Sequence, residues 1–312
     1  MLQSQKLHFK VISSINEAKD LWNYFSPHIT IDDDWDFRFT FYKYLEFPLK
    51  FIVGYHNDKM VGLLPLQFNT GRWPTPEAFG VKSDFLEFFG GNYTDSNKIF
   101  IKQGYQDNVQ ELLQQVTHEA VLAPLESLYS TKKVSATFFT NKYVANLENV
   151  TDFDIFIRSC LDRKNRQKIN HLQKVYRVEV IKADKNDLEL LTQYNKERFG
   201  KKSSFHLDYL KQVYIDFMNM YETDVFAVLI NGVKKAISFS ICYKKAYIGM
   251  NTGYDYSIRD LGKFVFTIQL KRAIEKGYAI YDAGKGNSGW KEQFHLTKIP
   301  QYMLHLLPVK RV

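Results

Sequence analysis

Residues 226–252 read FAVLINGVKKAISFSICYKKAYIGMNT, and this stretch decides the fold. An apolar run, Phe226–Ile230, meets Asn231-Gly232 and a second run follows, Ala236–Tyr243. Asn-Gly suits a type I′ turn, whose two central residues both need positive φ. The pattern predicts a β-hairpin. Lys244-Lys245 turns the chain into a third strand, Tyr247–Thr252. Working outward, a helix is expected over Gly262–Lys276 and a strand over Tyr278–Asp282. Upstream, Arg177–Lys182 reads as a strand, and Leu188–Phe199 and Leu207–Tyr221 have helical periodicity. Tyr302–Pro308 reads as a last strand.

The first half gives the same order of elements. Leu7–Ile12 reads as a strand, and Ile15–Phe25 and Asp36–Glu46 as helices. Phe51–Tyr55, the turn His56-Asn57-Asp58 and Met60–Phe68 form a hairpin. A loop with Gly71, Pro74, Pro76 and Gly80 leads to a strand at Phe85–Phe89. A helix over Val109–Leu122 and a strand over Val134–Thr140 complete the half. The repeat offset is about 170 residues, a single-domain length, and self-similarity at a fixed offset points to duplication. Between the halves lies the basic helical segment Asp154–Tyr176, with Arg158, Arg163, Lys164, Arg166, Lys168 and Lys174. The expected division is a domain over 1–150, a connecting helix over 151–176 and a domain over 177–312.

Composition agrees with a globular chain. Of 312 residues, 45% are hydrophobic and 24% charged, which excludes disordered, collagenous and rod-like classes. Aromatics reach 16%, for which biased codon usage is explanation enough. Lys and Arg number 42 against 34 Asp and Glu, a net charge of +8. That modest field favours anionic partners. The two cysteines, Cys160 and Cys242, form neither a disulfide framework nor a zinc pattern. No apolar run reaches membrane-span length and the first residues lack a signal-peptide core, so a cytoplasmic protein is expected.

Four short motifs carry a family resemblance. They are Met60-Val61-Gly62-Leu63-Leu64-Pro65-Leu66, Arg163-Lys164-Asn165-Arg166-Gln167-Lys168-Ile169, Tyr281-Asp282-Ala283-Gly284, and Gly286-Asn287-Ser288-Gly289-Trp290-Lys291-Glu292-Gln293-Phe294. With the element order, they resemble tandem Gcn5-related N-acetyltransferase (GNAT) proteins of the FemAB-like and CelD/BcsL-like (BioF2-like) group. Trp290 stands where that group has Tyr, and Asn287 and Ser288 replace acidic residues. The resemblance implies an α/β (α+β) fold of two tandem GNAT-like domains, each a mixed, mostly antiparallel sheet flanked by helices. It also implies acyl transfer from a thioester, with acetyl-CoA or another acyl-CoA as donor.

The segment Arg259-Asp260-Leu261-Gly262-Lys263-Phe264 opens a helix after the third strand, where that family binds the coenzyme A pyrophosphate. Free N–H groups at a helix start attract phosphate, and glycine permits close approach. Arg259, Gly262 and Lys263 are therefore the candidate donor-binding residues; Phe264 departs from the small residue the family places there. Asp282, at a strand end, is the candidate base for the amine proton, and Lys291 the candidate partner of a phosphate, a carboxylate or the acyl oxygen. Asp95, Arg166, Tyr254 and Trp290 are candidate acceptor contacts, with Asp95 expected to face a cleft between the halves.

Other chemistries find little support. Gly284-x-Gly286-x-x-Gly289 has dinucleotide-fingerprint spacing, but too little chain follows for a βαβ unit. Asp32, Asp33, Asp34 and Asp36 lack Ca²⁺-loop spacing and suit a helix cap. There is no H-E-x-x-H, hydrolase elbow or Walker loop, so no metal is expected. The leading expectation is an N-acyltransferase acting on an amine of a small molecule or a cell-envelope or polysaccharide precursor. The alternatives are a FemAB-type aminoacyltransferase using aminoacyl-tRNA, or a non-catalytic adaptor in polysaccharide synthesis. Nucleic acid other than tRNA is not expected as a partner.

Overall fold

The computed structural model describes residues 6–71, 81, 84–127, 136–286 and 289–307. The chain divides into two compact units, one of residues 1–140 with 300–312, the other of residues 141–299. This differs from the division read from sequence. The segment 141–176 belongs with the second unit, and the C-terminal segment returns to the first. Pro74, Pro76, Gly80, Val134, Asn287, Ser288 and Pro308 lie outside the described residues.

The first unit begins with β1 (His8–Ile12), α1 (Ile15–Phe25) and α2 (Trp35–Leu45). The hairpin β2 (Leu49–His56) and β3 (Lys59–Asn69) follows, then β4 (Phe85–Phe88), β5 (Phe100–Ile101), α3 (Val109–Leu113) and β6 (Ala120–Leu125). Asp34 caps α2, its carboxylate accepting from Phe37 N at 3.1 Å. Asp33 accepts from the Ile29 and Thr30 amides, so the acidic run serves local structure. Arg38 is fully buried and donates to the carbonyls of Asp32, Phe89 and Ser96 and to Asn97 Oδ1. Burial lowers its pKa to about 10, against the raising effect of Asp32 and Asp33. Left without these acceptors, such a buried cation would be strongly destabilising.

Next come β7 (Thr137–Asn146), α4 (Phe153–Cys160), α5 (Arg163–Val175), β8 (Val178–Lys182), α6 (Leu188–Phe199) and α7 (Tyr209–Met220). The sheet of the second unit continues with β9 (Glu222–Ile230), β10 (Val233–Tyr243) and β11 (Ala246–Tyr254), then α8 (Leu261–Glu275) and β12 (Ile280–Lys285). A short α9 (Gly289–Glu292) and β13 (Thr297–Leu306) end the order. Asn231 and Gly232 have φ of 52° and 82°, the turn expected between β9 and β10. Strand alternation splits the residues between two faces. Phe226, Val228, Tyr247 and Tyr281 pack with α8 through Leu261, Val265 and Leu270. On the other face, the Phe239 ring meets Tyr214 of α7 at 4.7 Å.

The two units repeat one another. The first has strand order β1-β2-β3-β4-β6 and the second β8-β9-β10-β11-β12. In each, only the last pair of that series is parallel. Each series gains a sixth, antiparallel strand: β13 against β6 and β7 against β12.

Two elements differ from the sequence reading. The helix expected over Val109–Leu122 ends at Leu113, and Ala120–Leu125 is a strand. All six residues of β6 are buried, and such a continuous apolar run has no period to tell strand from helix. The basic segment Asp154–Tyr176 is two helices, because Asp162 caps α5 by accepting from Asn165 N at 2.8 Å.

Candidate functional site

The site lies in the second unit, where β11 and β12 part. They pair in register at Ala246/Ile280, Tyr247/Tyr281 and Ile248/Asp282. Among the described residues no pair follows. Across β10, Phe239 faces Asn251 while Ser240 faces Gly249, leaving Met250 as an extra residue in β11. A bulge bends its strand, here just where the pairing with β12 stops. Behind the parting, the Tyr281 hydroxyl donates to Gln269 Oε1 at 2.7 Å, and Gln269 Nε2 donates to Ser238 Oγ at 2.8 Å. Gly249 leaves room for that hydroxyl, since a Cβ there would stand 3.0 Å from it.

Asp282 is buried at the parting. Its Oδ2 lies 2.7 Å from Lys142 Nζ, and its Oδ1 accepts from Gly284 N at 2.9 Å. A carboxylate offers about four acceptor positions, so neither bond exhausts its capacity. Lys142 carried no motif and escaped the sequence reading; it reaches Asp282 because β7 pairs with β12. Lys291 is also buried. Its Nζ donates to the carbonyls of Gly284 (3.1 Å) and Lys285 (2.9 Å), tying α9 to the end of β12. Those bonds commit it to the strand end.

α8 begins beside β11 and presents first-turn N–H groups that no intrahelical carbonyl satisfies. The loop before it turns at Asp260, whose φ is 62°. Arg259 is 86% exposed, with Nε 3.6 Å from Asp260 Oδ2. Lys263 instead donates to Asn165 Oδ1 at 2.8 Å and lies 3.5 Å from Asp260, joining α8 to α5. Gly262 is pressed by Tyr254, whose ring would meet a Cβ at 2.4 Å. The Tyr254 ring lies 4.1 Å from that of Tyr256, and Arg198 lies over both.

The remaining candidates separate. Arg166 donates to the carbonyls of Arg158 and Leu161, stitching α4 to α5. Trp290 packs on Phe266, with ring centroids 4.7 Å apart. Asp95, in the first unit, donates its amide to Asp32 Oδ1 at 2.9 Å and accepts from Gln301 at its carbonyl. The sequence reading assigned none of His171, Leu172, Val175 and Tyr176 to a site, yet they line a cleft of about 560 Å³ with Lys164, Gln167, Lys168, Arg259 and Asp260. The signal was present: 164, 168, 171 and 175 are spaced i, i+4, i+7 and i+11 on one helix face.

Residues 161–292 match the family model described as the acetyltransferase (GNAT) domain. The structure called FemX has a TM-score of 0.58 at 10% identity, over 96% of this chain and 98% of that one. A tandem GNAT protein from the clavulanic acid biosynthesis pathway has a TM-score of 0.50 at 8% identity, over 96% and 98%. The fold is the tandem GNAT fold. The chain carries an acyltransferase domain of the GNAT kind. L-PGS from Bacillus licheniformis also has a TM-score of 0.50, at 12% identity over 89% of this chain and 93% of that one. No curated protein shows a significant match to the sequence. The GNAT fold agrees with the two repeated sheets described above. Among the described residues, no three His, Cys, Asp or Glu gather as a metal site, and no helix is long and apolar enough to cross a membrane.

Proposed function

We propose that the protein transfers an acyl group from the thioester of an acyl-CoA to an amino group. The acceptor is a small molecule or a cell-envelope or polysaccharide precursor. The observation that carries this reading is the parting of β11 from β12 after Ile248/Asp282, beside the start of α8 and inside the matched domain. A thioester seated in the parting meets β11 backbone N–H groups, which stabilise the oxyanion of the tetrahedral intermediate. Asp282 takes the proton from the attacking amine, and Lys142 holds the carboxylate in place. The first turn of α8 and Arg259 attract the donor phosphates. Gly262 and Lys263 shape that turn through Tyr254 and Asn165. Lys291 fixes the strand end that carries Asp282. Asp95, Arg166 and Trp290 have no part in this reading.

Calorimetric titration with coenzyme A and acetyl-CoA, followed by acetyl transfer to a panel of amines, tests it. Donor binding and amine-dependent release of free thiol are expected. A folded protein that neither binds coenzyme A nor acylates any amine overturns the reading. A second reading, transfer from an aminoacyl-tRNA, is favoured by the basic face of α5 that lines the cleft. A salt-sensitive tRNA shift, with no coenzyme A binding, would select it.

A further inference from the structure

Lys50 is the second residue of β2 and pairs with Leu66 of β3. Strand alternation puts it on the same face as Ile52, and Ile52, Leu64, Leu66 and Phe68 pack with α3 through Leu112 and Leu113. Its stem therefore starts on an apolar face, and the side chain is half-buried. The amine reaches the segment after α3. Nζ donates to Thr117 Oγ1 at 2.8 Å and lies 3.2 Å from His118 Nδ1. Thr117 Oγ1 is 3.0 Å from the same Nδ1. The Phe68 ring meets the imidazole edge to face, with centroids 5.3 Å apart, and holds it there.

Among the described residues, Lys50 has no carboxylate partner; its polar contacts are Thr117 and His118. Lys98, Lys142 and Lys263, also withdrawn from solvent, each face a carboxylate, at 2.8, 2.7 and 3.5 Å. A carboxylate holds an ammonium in its charged, unreactive form, whereas burial without one favours the free amine. Burial accordingly pulls the Lys50 pKa below its ordinary value. An ammonium offers only donors, so Nδ1 is the acceptor and His118 carries its proton on Nε2. Partial burial, and then the Lys50 charge, push the His118 pKa down, which keeps the imidazole an unprotonated base near neutrality. The neighbouring acid, Glu119, is held by His305 at 2.8 Å. An amine with a base in hydrogen-bond reach and no counter-charge is an activated nucleophile.

We propose that Lys50 is a site of covalent acylation by acyl thioesters, with His118 as the base. The free amine attacks the thioester carbonyl; an N–C bond forms and the C–S bond breaks. The surplus amine proton passes to His118 Nδ1 and from there through solvent to the leaving thiolate. The products are an acyl-lysine amide and a free thiol. The amide is uncharged and keeps one N–H, so it can donate to Thr117 or His118 but not to both. The site lies wholly in the first unit and does not rest on the acyl-transfer reading of the second.

The test incubates the full chain with S-acetyl-N-acetylcysteamine, a small thioester without a nucleotide. Timed digestion and mass spectrometry give the acetylation rate of each lysine. At pH 8, Lys50 is expected to react about tenfold faster than the median lysine. His118→Gln keeps an oxygen for the hydrogen bond but supplies no base. Its side chain is exposed, so the fold is expected to persist, and Lys50 is expected to fall to the median rate in it. A second measurement needs only the native protein. Ordinary lysines lose their free amine below about pH 10.4, so the ratio of the Lys50 rate to the median is expected to rise as pH falls from 10.5 to 8. A Lys50 rate at or below the median overturns the proposal. An unchanged rate in folded His118→Gln, or a ratio flat with pH, does so too. Transfer by the second unit is scored separately, with acetyl-CoA and free amines, and its absence leaves these outcomes as they stand.

Discussion

The ring of Tyr254 lies so close to the Cα of Gly262 that a methyl group there would stand 2.4 Å from two of its atoms. Glycine is needed at that position for a tyrosine, before any phosphate is considered. Gly262→Ala is therefore expected to cost about 1–3 kcal/mol as the ring is forced aside. That outweighs the gain of about 1 kcal/mol from replacing a helical glycine. Urea unfolding of Gly262→Ala, Tyr254→Leu and the double variant checks it. The double variant should recover most of the loss, and additive losses would show that the ring is not the obstacle.

Asp282 and Lys142 form a buried pair, with side chains 12% and 10% exposed. Removing one partner leaves a buried charge uncompensated, which costs about 3–5 kcal/mol. Lys142→Met is expected to lower stability by that order. Asp282→Asn keeps the shape and is expected to lower kcat by about 10²–10⁴-fold, with little change in donor KM. Steady-state kinetics beside thermal unfolding separates the two effects. Native kcat in a folded Asp282→Asn protein would remove Asp282 from the chemistry.

Lys291 supplies the donors for two backbone carbonyls at the end of β12. Lys291→Met fills similar space but leaves Gly284 and Lys285 short of a partner, at a cost of about 1–3 kcal/mol. Faster amide exchange is expected at the end of β12, read by hydrogen–deuterium exchange with mass spectrometry. Unchanged exchange with lost donor binding would instead assign the lysine to the ligand.

Asp224 gives the second unit an acid-sensitive joint. Burial pushes its pKa up, but the two hydrogen bonds from Arg272, at 2.7 Å each, and the charges of Arg272 and Lys276 outweigh that and bring it below the ordinary value. The unfolded value is about 3.9. Stability from this site is thus complete above about pH 4 and is lost as pH falls through the lower, folded value. Asp224→Asn is expected to lower stability near neutrality and to flatten the acid limb. Parallel acid limbs in denaturant titrations from pH 6 to pH 2 would remove Asp224 from acid unfolding.

Both cysteines are buried, and burial raises their thiol pKa values, that of Cys160 to about 11. Neither is expected to react with iodoacetamide in the native protein at pH 8, since the thiolate is the nucleophile. Mass spectrometry after timed alkylation checks this. Rapid labelling of Cys242 would show that β10 opens locally.

The sequence by itself determined most of the element order, the hairpins and the duplication, because these rest on local period and turn chemistry. Helices α1 and α6 begin and end where their patterns predicted, at Ile15–Phe25 and Leu188–Phe199. It also pointed to Asp282 and Arg259, which stand at junctions between elements. Only the tertiary structure decided that β6 is a strand, since its buried run acquires a meaning by pairing with β4 and β13. Pairing across more than a hundred residues likewise brings Lys142 to Asp282 and gives each repeat a sixth strand. Tertiary packing also turned Lys263 and Arg166 inward to bond Asn165 and the Leu161 carbonyl, while Lys164 and Lys168 on the same helix line the cleft. A spacing of 3.6 residues per turn puts side chains on shared faces. Which face meets a neighbour and which meets a ligand is set by what packs against it, and that information lies elsewhere in the chain.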